Sequence, residues 1–376
     1  MKQPVVAIVQ RVLPHYRIPF FTGLSRLLAE SGVSLRLIYG QEYPETVPRT
    51  VDCREDWCRR ISNRYLRLPG LELVWQPCLA DVTDADLIIV EQANRLLTNV
   101  PILRSRGKRG RKVAYFGHGR TRRTEGRYLR EIFRRFLLRR VDWWFAYTGL
   151  TAENVAAAGF PRDRITTVNN TVDTESFSRD LAAVPAAEIA ALAARLGISG
   201  DNVVLFCGGM DSGKRLDFAL EACAALRRRL SDFEAIFIGD GPALPLVEEA
   251  ARRCDWIHPA GALFGAARAP FFRLGRALLV PGPVGLVIAD GFAAGTPLIT
   301  TDIDGHGPEI AYLENGTNGI ITTNTVHDYV DAVARFLESK PLRIRLAEGC
   351  RKSAQRYTMA NMVGNFALGV EECLSR

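Results

Sequence analysis

The sequence has no tract of about 18 consecutive apolar residues, which excludes a hydrophobic helix spanning a bilayer. Its best candidate, residues 277–289, is broken by Pro281 and Pro283. The opening "MKQPVVAIVQ" lacks the long apolar core and small-residue cleavage site of a secretory signal and reads as a first strand. The expected location is therefore the cytoplasm. Histidine is scarce, with five residues, and the eight cysteines (53, 58, 78, 207, 223, 254, 350 and 373) form no C-x-x-C pair and have no histidine at zinc-ligand spacing. This argues against a zinc site or a dithiol redox centre and leaves the thiols as reduced, structural residues. Internal repeats and low-complexity segments are absent. So are RNP, KH, zinc-finger and helix-turn-helix signatures, so the net charge of +8 is not accompanied by a nucleic-acid-binding motif and no nucleic acid partner is expected.

What is present is an ordinary globular composition, 47% hydrophobic and 24% charged, on a chain of 376 residues, enough for two domains with proper cores. The charge is uneven. Residues 1–180 carry 30 Lys and Arg against 19 Asp and Glu, whereas the remainder carries 19 against 22. One half is built to meet something anionic.

Short apolar runs recur along the chain: "VVAIVQ", "VSLRLIYG", "ADLIIVEQ", "KVAYFGHG", "WWFAYT" and "ITTVNN", then "NVVLFCGG", "EAIFIGDG", "RALLVPG", "TPLITTD" and "NGIITT". Helical periodicity separates most of them, as in "FFTGLSRLLAESG" and "RLDFALEACAALRRRL". Alternation of near-continuous apolar strands with helices predicts parallel sheets covered on both faces, an α/β fold of two doubly wound, Rossmann-like domains facing across a cleft. The alternation restarts near residue 202, after the alanine-rich segment around residues 182–201. The expected division is 1–180, 181–356, and a C-terminal helix at 357–376 packing back on the first domain. Ligands of such sheets sit at the carboxyl ends of the strands. The loops of interest are therefore Gly117-His118-Gly119, Gly208–Lys214, Gly239–Pro242, Pro281–Leu286 and Asp302–Glu309.

"NVVLFCGGMDSGKRLDFALEA", residues 202–222, runs a strand through a glycine loop into a helix. The spacing from Gly208 to Gly213-Lys214 fits a nucleotide P-loop, but Arg215 stands where Ser or Thr would hold magnesium. A metal-independent phosphate site and a bare strand-turn-helix remain as readings.

Four segments in order, "GGMDSGKRLDFALEA", "FIGDGPALPLVEEA", "VGLVIADGFAAGTPLITTD" and "GPEIAYLENGTNGI", resemble the nucleotide-binding half of the family-four retaining glycosyltransferases of the GT-B fold. The N-terminal "IVQRVLPHYRIPFFTGL", the "GHG" loop and "VNNTVDTESF" extend the resemblance over nearly the whole chain. It implies hexosyl transfer from a nucleotide diphosphate sugar to a hydroxyl acceptor, with retention and with neither metal nor cofactor. Lys214 would neutralise the leaving diphosphate and His118 would lie near the transferred sugar, as the catalytic pair. Arg17, Gly209, Met210, Gly285, Leu286, Asp290, His306 and Glu309 would join Lys214 on the donor. Two departures stand out. Gly209 occupies the place of an arginine, and Gly282 and Asp290 occupy the places of two glutamates, the second of which commonly grips the ribose hydroxyls in that family. Donor-sugar contacts would then fall to other groups, of which the segment from Gly305 to Glu309 is a candidate supplier.

At helical spacing, residues 125–144 carry an apolar face of Leu129, Ile132, Phe133, Phe136 and Leu137 and a basic back of Arg127, Arg130, Arg134 and Arg135. With Arg120, Arg122, Arg123 and "RGKRGRK" at 106–112, these residues suggest a cationic surface beside His15 and Tyr16 on the acceptor domain. The expectation is a lipid-linked or anionic glycan acceptor of polysaccharide biosynthesis and salt-sensitive, peripheral attachment to the cytoplasmic face of an anionic membrane. A core-packed helix with a solvated basic back is the plainer reading. A sugar-nucleotide epimerase on the same fold and a non-catalytic sugar-nucleotide or polyanion-binding protein are the alternative functions.

Overall fold

A computed structural model describes residues 3–43, 50–69, 71–119 and 140–376. The chain forms two compact units, residues 1–170 with 359–376, and residues 171–358. The division thus falls at 170/171, about ten residues before the expected position, because the helix Thr174–Ala183 packs its buried Phe177 against Phe272 of the second unit, ring centroids 5.1 Å apart.

In the first unit the strands are β1 (Val5–Gln10), β2 (Ser34–Tyr39), β3 (Cys58–Arg60), β4 (Arg64–Leu68), β5 (Leu71–Trp75), β6 (Leu87–Glu91), β7 (Lys112–Gly117), β8 (Trp143–Ala146) and β9 (Ile165–Thr167). Seven of them make a parallel sheet ordered β3-β2-β1-β6-β7-β8-β9, and β4 and β5 form an antiparallel hairpin outside it. Apolar clusters cover both faces of the sheet. One of them contains the helix Met359–Ser375, which lies in this unit. Its Phe366 stacks on Phe145 with centroids 4.1 Å apart and meets Phe20 and Phe116 edge-on. Buried aromatic rings of this kind contribute roughly 1.5–3 kcal/mol each, so the C-terminal helix completes the first core.

The second unit holds β10 (Asn202–Cys207), β11 (Phe233–Ile238), β12 (Ile257–Gly261), β13 (Ala277–Leu279), β14 (Leu298–Thr301) and β15 (Gly319–Thr322). They form a parallel sheet ordered β12-β11-β10-β13-β14-β15, again with an apolar cluster on each face. The strand order reverses direction at β10, which pairs with both β11 and β13. That is the switch point where an open α/β sheet leaves a crevice at its carboxyl edge.

Each of the eleven apolar runs read from the sequence is a strand, within one to three residues at either end. One sequence expectation changes. Cys53 and Cys58 are joined in a disulfide, five residues apart, while the other six cysteines are free and mostly buried. The basic segment 106–112 runs into the first residue of β7. Arg120, Arg122, Arg123, Arg127, Arg130 and Arg134 lie outside the described residues.

Candidate functional site

The glycine loop after β10 opens the crevice of the second unit. Gly208 has φ +149° and donates its N–H to Ile238 at 3.0 Å, and the next loop closes on it from β11. A Cβ on Gly239 would stand 1.9 Å from the Gly208 carbonyl oxygen, and one on Gly241 would stand 2.5 Å from that of Met210. Only glycine permits two backbones this near to each other. Met210 itself is fully buried, its N–H bonded to Asp240 at 2.8 Å and its carbonyl accepting from Ala243, so its side chain belongs to the core rather than to a ligand.

Beyond Met210, Asp211 caps a tight turn by accepting from the Gly213 N–H at 2.9 Å. The turn delivers Lys214, half-buried, with its Nζ donating to the carbonyl of Pro283 at 2.7 Å. Arg215 then takes a left-handed conformation (φ 56°, ψ 47°) before the helix Leu216–Arg229 begins. Its guanidinium donates to Pro281 O at 3.2 Å, Thr301 Oγ1 at 3.1 Å and Asn324 Oδ1 at 2.7 Å, and lies over the Phe218 ring. Arg215 is a strut between loops.

The Pro281–Val284 segment after β13 is held from both sides. A Cβ on Gly282 would meet Lys214 O at 2.8 Å and Gly213 O at 2.9 Å, so the lysine turn occupies the space that any side chain at 282 would need. This is why no carboxylate stands there. On the other side, His306 donates from Nε2 to Thr301 O at 2.8 Å, which leaves Nδ1 as acceptor for the Val284 N–H at 3.2 Å. Burial holds His306 below the ordinary imidazole value, in keeping with this neutral tautomer. Both ring nitrogens thus bond the protein's own loops. Glu309, only 4% exposed, lies behind Gly307, whose N–H donates to Val284 O.

The helix Val287–Ala294 starts directly after this clamp, at half-buried Gly285 and Leu286. Cβ atoms built on Gly208, Gly209, Gly285 and Gly305 would meet nothing within 4 Å. A lysine ammonium, a helix N-terminus and open glycine backbone at one sheet edge make a site for a phosphorylated ligand.

Asp290 is held in an ion pair. It is 5% exposed, and its carboxylate accepts from both Nη atoms of Arg268, at 2.7 and 3.2 Å. The guanidinium sits over Phe177 at 4.7 Å and Phe272 at 5.9 Å. Burial raises the Asp290 carboxyl above its usual range, and the paired Arg268 opposes that rise. Its partner lies 22 residues away, at a spacing that no local pattern predicts.

At the carboxyl edge of the first unit, His15, Tyr16 and Arg17 form a short turn after β1. His15 is exposed, and Arg17, 6% exposed, has its guanidinium 5.5–5.7 Å from the Tyr16, Phe116 and Tyr147 rings. His118 is exposed after β7, with its ring 4.4 Å from that of Tyr147. Sequence reasoning missed Glu91, the acid ending β6, which accepts from the Arg11 N–H at 2.7 Å. Burial raises its carboxyl, while Arg11, Arg95 and Arg17 oppose the rise. The signal was an acid closing the run "LIIVE" at a strand's carboxyl end. In the basic segment, Arg106 pairs with Asp142, Arg111 bonds the Ala85 and Thr83 carbonyls and Lys112 bonds that of Cys373, whereas Lys108 and Arg109 are exposed. Among the described residues no helix is long and apolar enough to cross a membrane, and no group of three or more His, Cys, Asp or Glu could hold a metal ion.

Comparison with known proteins agrees with this geometry. Residues 20–176 match Glycosyltransferase Family 4, and residues 201–339 match Glycosyl transferases group 1. An alpha-D-kanosaminyltransferase of Streptomyces kanamyceticus is 30% identical over 179 residues, 46% of this chain and 46% of the relative. A D-inositol 3-phosphate glycosyltransferase of Saccharomonospora viridis is 29% identical over 215 residues, 52% of this chain and 47% of the relative. The chain spans about half the length of the curated relatives it matches. Among solved structures, Anabaena HepE in complex with UDP superposes with a TM-score of 0.71 at 14% identity, covering 98% of this chain and 99% of that one. Sucrose-phosphate synthase from Thermosynechococcus elongatus gives 0.71 at 14% identity, covering 99% of each chain.

Proposed function

The chain is a family-four-like glycosyltransferase of the GT-B fold, and from that premise we propose that it transfers a hexosyl group from a nucleoside diphosphate sugar to a hydroxyl acceptor, with retention at the anomeric carbon. The observation that carries this reading is the placement of Lys214 on Pro283, at the strand-order switch and next to the N-terminus of the helix Val287–Ala294. A diphosphate entering there is a stronger acceptor than a neutral carbonyl and draws the ammonium to itself. The ammonium and the backbone N–H groups from Gly285 onward then stabilise the charge that develops on the leaving diphosphate as the glycosidic bond breaks. The acceptor hydroxyl passes its proton to the departing phosphate. Structures of HepE with UDP and with UDP-glucose support a nucleotide donor.

The reaction is proposed to need no metal. Arg215, standing where a P-loop hydroxyl would ligate magnesium, is instead bonded to Pro281, Thr301 and Asn324. The first unit would receive the acceptor, with His118, His15, Tyr16 and Arg17 at its carboxyl edge. Its excess of cations supports an anionic acceptor, such as a lipid-linked glycan intermediate of polysaccharide biosynthesis, and peripheral contact with an anionic membrane surface. The test is to incubate the protein with a panel of nucleoside diphosphate sugars, with and without cell lipid extract, and to follow released nucleotide and glycosylated product. Product formation in the presence of EDTA is expected. A failure of every donor to bind or react would overturn the reading, and a sugar nucleotide converted with no acceptor would point to an epimerase.

A further inference from the structure

Four of the eight large apolar side chains that stand exposed among the described residues lie on or beside the β4–β5 hairpin: Leu66 at 53%, Leu71 at 47%, Leu97 at 38% and Val100 at 44%. The Leu97 N–H donates to Val74 O of β5 at 2.9 Å, and the Val100 N–H to Leu97 O at 3.1 Å. Exposed apolar residues scattered singly need no explanation, but a group of them marks an interaction surface. The register sorts the hairpin into two faces. Tyr65 pairs with the fully buried Val74 on the inner face, so Arg64 opposite Trp75, Leu66 opposite Leu73, and then Leu71, form the outer one.

The outer face is graded along its length. Its leucines occupy the half next to the turn, whereas Trp75 and Arg64 stand at the base, about 13 Å from Leu71 for four residues of strand. A tryptophan and a long-stemmed cation are the side chains that settle at the level of lipid headgroups. Elements that lie in a membrane interface sink about 5–10 Å, a depth that takes the leucines and stops short of the base. The one acid of the hairpin, Glu72, accepts from Arg67 at 3.1 Å and Arg95 at 3.2 Å, so it brings no unpaired negative charge to the leaflet. Residues 58–76 carry four arginines against that single acid, a balance complementary to anionic lipid. At the base, the Tyr65 hydroxyl donates to Gln41 O at 2.6 Å and Gln76 Nε2 to Gln10 O at 3.0 Å, Gln10 being the last residue of β1. The hairpin thus springs from the carboxyl edge that also carries His15 and His118.

Building on the membrane contact proposed above, we propose that the β4–β5 hairpin is the element that enters an anionic bilayer. Its leucines pass the headgroups, Trp75 and Arg64 stop among them, and the sugar end of a lipid-linked acceptor meets the carboxyl edge beside the hairpin's base.

Sedimentation of the full chain with vesicles of phosphatidylglycerol and phosphatidylcholine, at low salt, tests this. The double variant Leu66→Ser, Leu71→Ser is expected to bind about tenfold more weakly than wild type with an unchanged Tm, while Leu246→Ser, at a 52% exposed leucine of the second unit, stays within about twofold. A double variant that binds as wild type does would overturn the hairpin's role and leave membrane contact to the other cations. Failure of the wild type to bind would remove both. A wild-type dimer in sedimentation velocity that the double variant lacks would assign the face to a second copy and also overturn the proposal. Should the double variant not fold, quenching of wild-type fluorescence by lipids with brominated chains decides, since Trp75→Phe is expected to abolish most of it. Quenching that is absent, or that persists in Trp75→Phe, counts against insertion.

Discussion

Lys214 and Pro283 are 69 residues apart in the chain, yet the lysine Nζ donates to the proline carbonyl at 2.7 Å and fixes the glycine turn after β10 against the loop after β13. The contact joins two strand ends that flank the switch point of the sheet, so the ammonium sits where the fold leaves room for a ligand.

Replacing Lys214 with Ala is expected to lower kcat about 10²–10³-fold, the usual loss when one donor to a developing charge is removed. The folded state should survive, since the side chain is half-buried on a loop rather than within the core. Steady-state rates together with thermal melting check this. Near-normal turnover would remove Lys214 from the reaction.

His306 predicts a pH dependence with a definite sign. Its imidazole lies below the ordinary value in the folded chain, with burial as the first cause, bonding to Thr301 and nearby Asp302 opposing, and Lys214 adding to the depression. The unfolded chain therefore takes up this proton first as pH falls. The stabilisation is fully present above the unfolded value of about 6.5 and is lost as pH drops through the lower folded value. Protonation also removes the acceptor for the Val284 N–H. Acidification from about pH 7 to about pH 5 should raise the donor KM of the wild type. His306→Gln, which keeps a donor and an acceptor without titrating, should show a flatter profile. Identical profiles would confine His306 to simple packing.

The strands were legible because parallel strands covered on both faces read as continuous apolar runs, as "VVLFC" and "IIV" do. β12 escaped detection because "IHPAG" contains a proline and a histidine; it lies at the edge of the sheet, where a proline is tolerated, and its His258 bonds Glu234 at 2.7 Å. The hairpin of β4 and β5 was announced by Pro69-Gly70 between two apolar-rich runs, a turn signal that went unused. Lys214 could be found from local spacing. The Arg268–Asp290 pair, the His306 clamp and the crowding at Gly282 could not, since each is fixed by a partner brought near by the fold and not by sequence spacing.

Membrane attachment can be tested at the residues carrying the expectation. Among the described residues, Lys108 and Arg109 are exposed basic side chains before β7. Each basic residue near an anionic leaflet contributes on the order of 1 kcal/mol. Sedimentation with anionic vesicles should show binding at low salt that is lost at high salt, and weakened when Arg127, Arg130 and Arg134 are changed to Ser. Binding that ignores both salt and these changes would exclude an electrostatic attachment by this surface.

The two glycines that depart from the family pattern should respond in opposite ways to added side chains. At Gly282 a Cβ would stand 2.8 and 2.9 Å from the carbonyl oxygens of Lys214 and Gly213, backbone atoms that cannot rotate out of the way. Introducing Glu there must push the lysine turn off its seat on Pro283, at a cost of about 1–3 kcal/mol typical of overpacking. Gly282→Glu is thus expected to melt several degrees lower and to bind nucleoside diphosphates more weakly. At Gly209 a Cβ would meet nothing within 4 Å, and the residue is not among those with positive φ, so a side chain can start there without backbone strain. Gly209→Arg should keep the wild-type melting temperature and bind nucleoside diphosphates more tightly, because it adds a second cation to the edge that already presents Lys214. Melting curves and calorimetric titration of the two variants decide the point. A Gly282→Glu protein as stable as wild type, or a Gly209→Arg protein with weakened diphosphate binding, would contradict the arrangement of Lys214, Pro283 and the glycine loop on which the donor site rests.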